Sequence, residues 1–133
     1  MAAAQAYFWI GLGSALGGMA RYGCSGLVAR LVGETFPWGT IVVNVTGSLI
    51  IGFFATLTEP DGRLFVGATA RQFVTLGLLG GFTTFSSFSL QTLNLVRDGE
   101  WLQATTNVIG SVLLCLMAVW LGHVIALSLN QLR

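Results

Sequence analysis

Three long stretches of this chain carry no charge: Thr35 to Thr58, Gln72 to Val96 and Trp101 to Leu132. Each holds at least 24 residues, which as α-helix span roughly 36 Å, more than the ~30 Å hydrocarbon core of a bilayer. In hydrocarbon a backbone must satisfy its own N–H and C=O groups, so uninterrupted stretches of this length fold as helices. A fourth stretch, from about Ala6 to Ala29, is broken only by Arg21. Composition agrees: of 133 residues, 54% are hydrophobic and 8% charged, against about 25% charged in soluble domains. The expected fold is all-α, a single transmembrane domain over residues 1–133 with helices at about 6–29, 37–58, 68–96 and 101–129. Loops this short leave no room for a domain outside the bilayer. The N-terminus lacks a positive n-region, and Ala2 to Ala4 precede the apolar stretch instead of following it. The first span is therefore expected to persist in the mature protein.

The third stretch is oddly built. Residues 80 to 88 read Gly-Gly-Phe-Thr-Thr-Phe-Ser-Ser-Phe, and two glycines with four hydroxyl residues weaken a helix. A break is expected at 80–84. Irregular backbone at membrane depth is tolerated only where it is buried in protein or faces a cavity, so something binds or passes there. Pro37 fits the first turn of the second helix, and Glu59-Pro60-Asp61-Gly62 has turn composition. Gly13 and Gly17, Ser14 and Gly18, and Gly77 and Gly81 are small residues four apart. They predict close helix contacts within or between chains.

Charge is sparse and balanced. All six basic residues are Arg, and the net charge is +1. With four spans, one side holds Arg63, Arg71 and Arg133, and the other holds Arg30 and Arg97, joined by Arg21 if its side chain snorkels outward. Such a weak bias fits either an orientation set by another signal or dual topology, with copies inserted both ways. We take the second. Four helices can hardly enclose a polar pathway, whereas an antiparallel dimer brings two broken segments together near the midplane. No basic patch speaks for nucleic acid. Cys24 and Cys115 lie in apolar surroundings without metal-ligand spacing.

The intramembrane polar residues narrow the function. Arg21 is either a snorkelling side chain or a functional charge. Asn44 lies roughly 10 Å into the second span and needs hydrogen-bond partners. Asn107, Ser111 and Cys115 follow at i, i+4 and i+8 on one face of the fourth helix, as glue or as a pathway. His123 reads as a packing residue. Phe82, Phe85 and Phe88 share a face if helical, and beside them stand the hydroxyls of Thr83, Thr84, Ser86 and Ser87. Ring edges and hydroxyl hydrogens can stabilise an anion, and carbonyls freed by a helix break can bind a cation. No acid lies within a span, which weakens a carrier of protons or organic cations. No triad, metal box or phosphate loop is legible, so an enzyme is not expected.

Taken together, three segments resemble the Fluc fluoride-channel family, also called CrcB. They are Gly17-Gly18-Met19-Ala20-Arg21-Tyr22, Gly39-Thr40-Ile41-Val42-Val43-Asn44, and Gly80 through Phe88. The resemblance covers essentially the whole chain. It implies an antiparallel homodimer in the bacterial inner membrane, with fluoride as its ion and a structural sodium (Na+) at the dimer centre. It implies that Asn44, Phe85 and Phe88 line the anion route, with Thr84 and Ser87 beside them and Asn107, Ser111 and Cys115 along the fourth helix. Arg21 would stand in the vestibule, and the carbonyls of Gly80 and Thr83 would hold the sodium. The chain departs from the pattern where some members carry Tyr in place of Asn107 and Ser in place of Cys115. The expected function is passive, fluoride-selective export from the cytoplasm. The alternatives are a small dual-topology transporter of organic cations and a non-transporting membrane scaffold.

Overall fold

The structure, a computed structural model, describes Ala2 to Leu132. Arg133, counted in the charge balance, lies outside the described residues. Among the described residues every regular element is helical. Helix α1 spans Ala2–Val32 and α2 spans Trp38–Leu57. The third run is composite. It starts as α3 (Ala68–Gln72), widens into a π-helical stretch (Phe73–Leu79) and closes as α4 (Gly80–Phe82). Two extended residues follow before α5 (Phe85–Arg97), and α6 spans Trp101–Gln131.

Three runs are long and apolar enough to cross a membrane: Trp38–Leu57, Ala68–Arg97 and Trp101–Gln131. The first helix, expected as a fourth span, is not among them although it has 31 residues. Its small residues and its two arginines, Arg21 and Arg30, dilute its apolar content. Along α6, large apolar side chains such as Leu113, Leu116 and Trp120 are exposed, while Ala104, Ala118 and Ala126 are buried. Small inside and large outside is the order that suits a lipid surround, where close helix approach replaces a hydrophobic drive.

Helix ends are tied down by side chains. Pro37 is the N-cap of α2, one residue earlier than the first turn, and its carbonyl accepts from the Ile41 N–H at 3.2 Å. At the other end of α2, the Arg71 guanidinium donates to the carbonyls of Thr58 at 3.3 Å and Ala55 at 3.4 Å. Arg63 donates likewise to the Leu129 carbonyl near the end of α6 at 3.2 Å. Each places a cation on the negative end of a helix dipole. The turn from α5 to α6 needs a left-handed residue, supplied by Gly99 at φ 79°. There the Glu100 N–H reaches back to the Leu95 carbonyl at 2.8 Å and the Gly99 N–H to that of Val96 at 3.1 Å, closing α5 as a Schellman cap.

Two seams form the scaffold: α2 against α6, and α1 against the α3–α4 run. Both are notched by glycine. A methyl added at Gly122 would overlap the Leu49 carbonyl, and one at Gly17 would overlap the Leu78 carbonyl. At Gly81 it would stand 2.5 Å from the Ser14 carbonyl oxygen. The small-residue pairs therefore face one another inside one chain. This also relocates the irregular backbone. Gly80 and Gly81 stay helical, contrary to the expectation that the glycines open the helix, because Gly81 serves close approach to α1. The extended residues are Thr83 (φ -80°, ψ 159°) and Thr84 (φ -154°, ψ 118°).

Candidate functional site

Extended backbone inside an apolar chain leaves peptide groups without helical partners. Thr84 receives them from a side chain. Its N–H donates to Asn44 Oδ1 at 2.7 Å, and Asn44 Nδ2 donates to its carbonyl at 2.9 Å. The carboxamide acts as a one-residue neighbouring strand. Thr84 is also the N-cap of α5: its hydroxyl oxygen accepts from the Ser87 N–H at 3.1 Å, which satisfies one orphan donor of the new helix. That hydroxyl donates in turn to Ser87 Oγ at 3.1 Å. Behind it, the Thr83 methyl fills the space left by Gly47 on α2, and the Thr83 hydroxyl donates to the Leu79 carbonyl at 2.9 Å.

This junction separates two cavities. The first, of about 370 Å³, is lined by Asn44, Gly80, Thr83, Thr84, Phe85, Phe88, Ser111 and Cys115, with apolar residues between them. The second, of about 870 Å³, is more polar and is lined by Arg21, Tyr22, Ser25, Thr40, Thr84, Ser87 and Gln91 among others. Thr84 borders both. No hydrogen bond or ion pair among the described residues engages the Arg21 guanidinium, which shares the second cavity with Arg30 and Glu34. Likewise no hydrogen bond among the described residues ends on the carbonyl of Gly80 or Thr83, and both residues open onto the first cavity.

Phe85 and Phe88 form a tilted pair, with ring centroids 5.2 Å apart and planes at 51°. Phe88 is 8% exposed and packed, whereas Phe85 is 76% exposed. Phe82 does not join them on one face. It precedes the extended residues, and its ring lies against Gly47.

The fourth-helix residues divide. Ser111 and Cys115 line the first cavity. Asn107 lines neither cavity and is only 1% exposed. Its Nδ2 donates to Thr92 Oγ1 at 2.9 Å, and its Oδ1 accepts from Ser111 Oγ at 3.2 Å. Thr92 in turn donates to the Phe88 carbonyl at 2.8 Å. This chain of bonds pins α5 to α6. His123 likewise packs between helices, its Nδ1 lying 2.7 Å from Thr56 Oγ1.

Sequence reasoning missed Thr92, Arg71 and Gln91. Thr92 lies four residues after Phe88, and Gln91 four after Ser87, so helical spacing from those two residues would have placed both on the same face. Arg71 carried no such signal, because its partners are backbone carbonyls of a distant helix end.

The chain is similar to known proteins over nearly its whole length. The model of the family described as CrcB-like protein, Camphor Resistance (CrcB), matches residues 8–123. A protein of Opitutus terrae named fluoride-specific ion channel FluC is 68% identical over 127 residues, covering 96% of each chain. The protein of that name from Methylocella silvestris is 59% identical, covering 96% of this chain and 97% of its own. The one from Rhodospirillum rubrum is 54% identical, covering 94% and 97%.

Proposed function

The chain belongs to the CrcB family, and on that premise we propose that it is a passive, fluoride-selective channel of the bacterial inner membrane that lets the ion leave the cytoplasm. The observation that carries this reading is the Asn44–Thr84 junction, which sets a polar cavity lined by Arg21 against a cavity lined by phenyl rings and hydroxyl residues. Fluoride is small and strongly hydrated, so a route must replace its water with hydrogen-bond donors. Arg21 raises the local anion concentration in the vestibule. Ser87 offers its hydroxyl proton where the two cavities meet, since that of Thr84 is given to Ser87. Beyond it, the positive edges of Phe85 and Phe88 and the Cys115 thiol continue the lining as donors, while the Ser111 proton goes to Asn107. Asn44 uses Oδ1 and one Nδ2 proton on Thr84, which leaves one amide proton for the ion. None of these groups past Arg21 carries a fixed charge, so binding stays weak enough for the ion to leave.

The working unit in this reading is an antiparallel homodimer. One chain leaves the first cavity open along Gly80, Thr83 and the exposed Phe85 ring, and a second copy would close it. A structural sodium fits the chemistry of the residues there. The Gly80 and Thr83 carbonyls are hard oxygen donors without hydrogen-bond partners among the described residues, and two chains would supply four. Bound there, the ion would hold the two interrupted helices together.

Fluoride efflux from liposomes containing the reconstituted protein tests the function. Fast efflux with chloride excluded supports the channel; a folded, reconstituted dimer that releases no fluoride would sink it. Flux of organic cations, or of no solute, would favour the carrier or the scaffold instead. Density of a heavier monovalent cation on the two-fold axis tests the sodium site, and an empty axis would remove it.

A further inference from the structure

Three carboxamides surround the junction, and they differ in how they are held. Asn44 is bonded at both ends to the Thr84 peptide. Asn107 is bonded at both ends to Thr92 and Ser111. Gln91 is bonded at neither. Its Oε1 is buried and has no hydrogen-bond partner, while its residue lines the vestibule together with Arg21, Thr84 and Ser87. The Nε2 amine is not among the buried unpaired atoms, so it is the end of the amide that opens to the vestibule. Thr84, Ser87 and Gln91 fall at i, i+3 and i+7 of one helical face. That face runs from the junction along the vestibule.

A buried acceptor without a donor is costly, and a native chain keeps one where it has a use. We infer that Gln91 is a specificity-determining residue of the same pathway. Its amine takes over hydrogen bonds from the water around a small anion, between the field of Arg21 and the hydroxyls of Ser87 and Thr84. This inference rests on the channel reading above. Because nothing ties the amide down, it turns Nε2 toward an ion and turns back when the ion has moved on. Asn44 cannot do so, since rotation would unfasten Thr84. The vestibule thus holds one mobile donor in front of a fixed one. A rigid ring of donors would hold the ion; a mobile one exchanges easily with water.

The test is the concentration dependence of fluoride efflux. Gln91→Met keeps the side-chain volume and removes the amide. It should raise the fluoride concentration for half-maximal efflux at least 5-fold (about 1 kcal/mol at 1.4 kcal/mol per decade). Elution as the folded dimer should not change. A purely structural role would instead lower the number of active channels and leave the half-maximal concentration where it was, which would overturn the inference. Gln91→Asn provides the second variant, with the amine one methylene shorter. Its half-maximal concentration should fall between those of the wild type and the Met variant. If Gln91→Met does not fold, an Asn variant indistinguishable from wild type overturns the inference just as well. Wild-type protein without fluoride efflux defeats the channel reading itself; wild-type efflux that Gln91 variants leave unmoved defeats only this inference.

Discussion

Along the α1–α4 seam, helices meet backbone to backbone at Gly17 and Gly81, whereas α5, among the described residues, packs on α6 and α2 alone and is fastened by side-chain hydrogen bonds. Asn44 holds Thr84 at its start, and Asn107 holds Thr92 in its middle. The seam has no room to move, because every approach is limited by a carbonyl of the facing helix. The junction is set by two bonds from one side chain. A membrane protein of this size thus uses shape for its scaffold and polar pairing for its site. The two should fail differently: one by losing the fold, the other by losing conduction in a chain that still folds.

The largest effect is expected on the seam. Gly17→Val puts a branched side chain onto the Leu78 carbonyl and should cost at least about 3 kcal/mol, the upper part of the overpacking range. Size-exclusion of the detergent extract should then show little monodisperse protein. A well-folded Gly17→Val channel would break the contrast, since the seam would then be as adjustable as the site. Next comes Asn44→Ala, which strips both Thr84 peptide groups of their partner, at about 1–3 kcal/mol for each buried group left unpaired. Dimer should still be recovered, and fluoride efflux should fall by two orders of magnitude or more. Near-normal efflux would mean that the junction holds without its clamp.

Phe88→Ile should follow. It keeps an apolar side chain against α6 but removes the ring edge, so efflux should drop about tenfold with the thermal midpoint nearly unchanged; normal efflux would take the ring out of the route. Asn107→Ala should matter least. Interhelical polar pairs average about 0.6 kcal/mol, and Asn107 lies outside both cavities, so a small fall in thermal midpoint with more than half the flux retained is expected. A flux defect as deep as that of Asn44→Ala would return Asn107 to the pathway.

Much of this was legible in the sequence, for physical reasons. Uncharged stretches of fixed length gave the helices, since the bilayer tolerates little else. The hydroxyl-rich run at 80–88 marked where the backbone turns irregular. Its exact place was not legible, because a glycine in a helix can mean freedom or proximity. At Gly81 it means proximity, which only the position of Ser14 on another helix reveals. Asn107 and Asn44 were alike as sequence signals, two amides in apolar helices. What separates them is whether the partner is an interrupted peptide or a threonine hydroxyl, and that depends on tertiary pairing. The loose amide of Gln91 was illegible for the same reason: being unpaired is a property of surroundings.

The π-helical stretch from Phe73 to Leu79 gives the residue count itself a role. There the Gly80 N–H reaches the Thr75 carbonyl, one residue further back than an α-helix allows. Deleting the one extra residue it holds would let this stretch rewind as α-helix with the faces after it nearly kept, whereas rewinding it at full length would turn everything after it by about 100°. Thr84 would leave Asn44, and Gly81 would leave Ser14. Length changes larger than that one residue should therefore fall in relatives between Thr58 and Gly67, outside the helices, and not between Arg71 and Thr84.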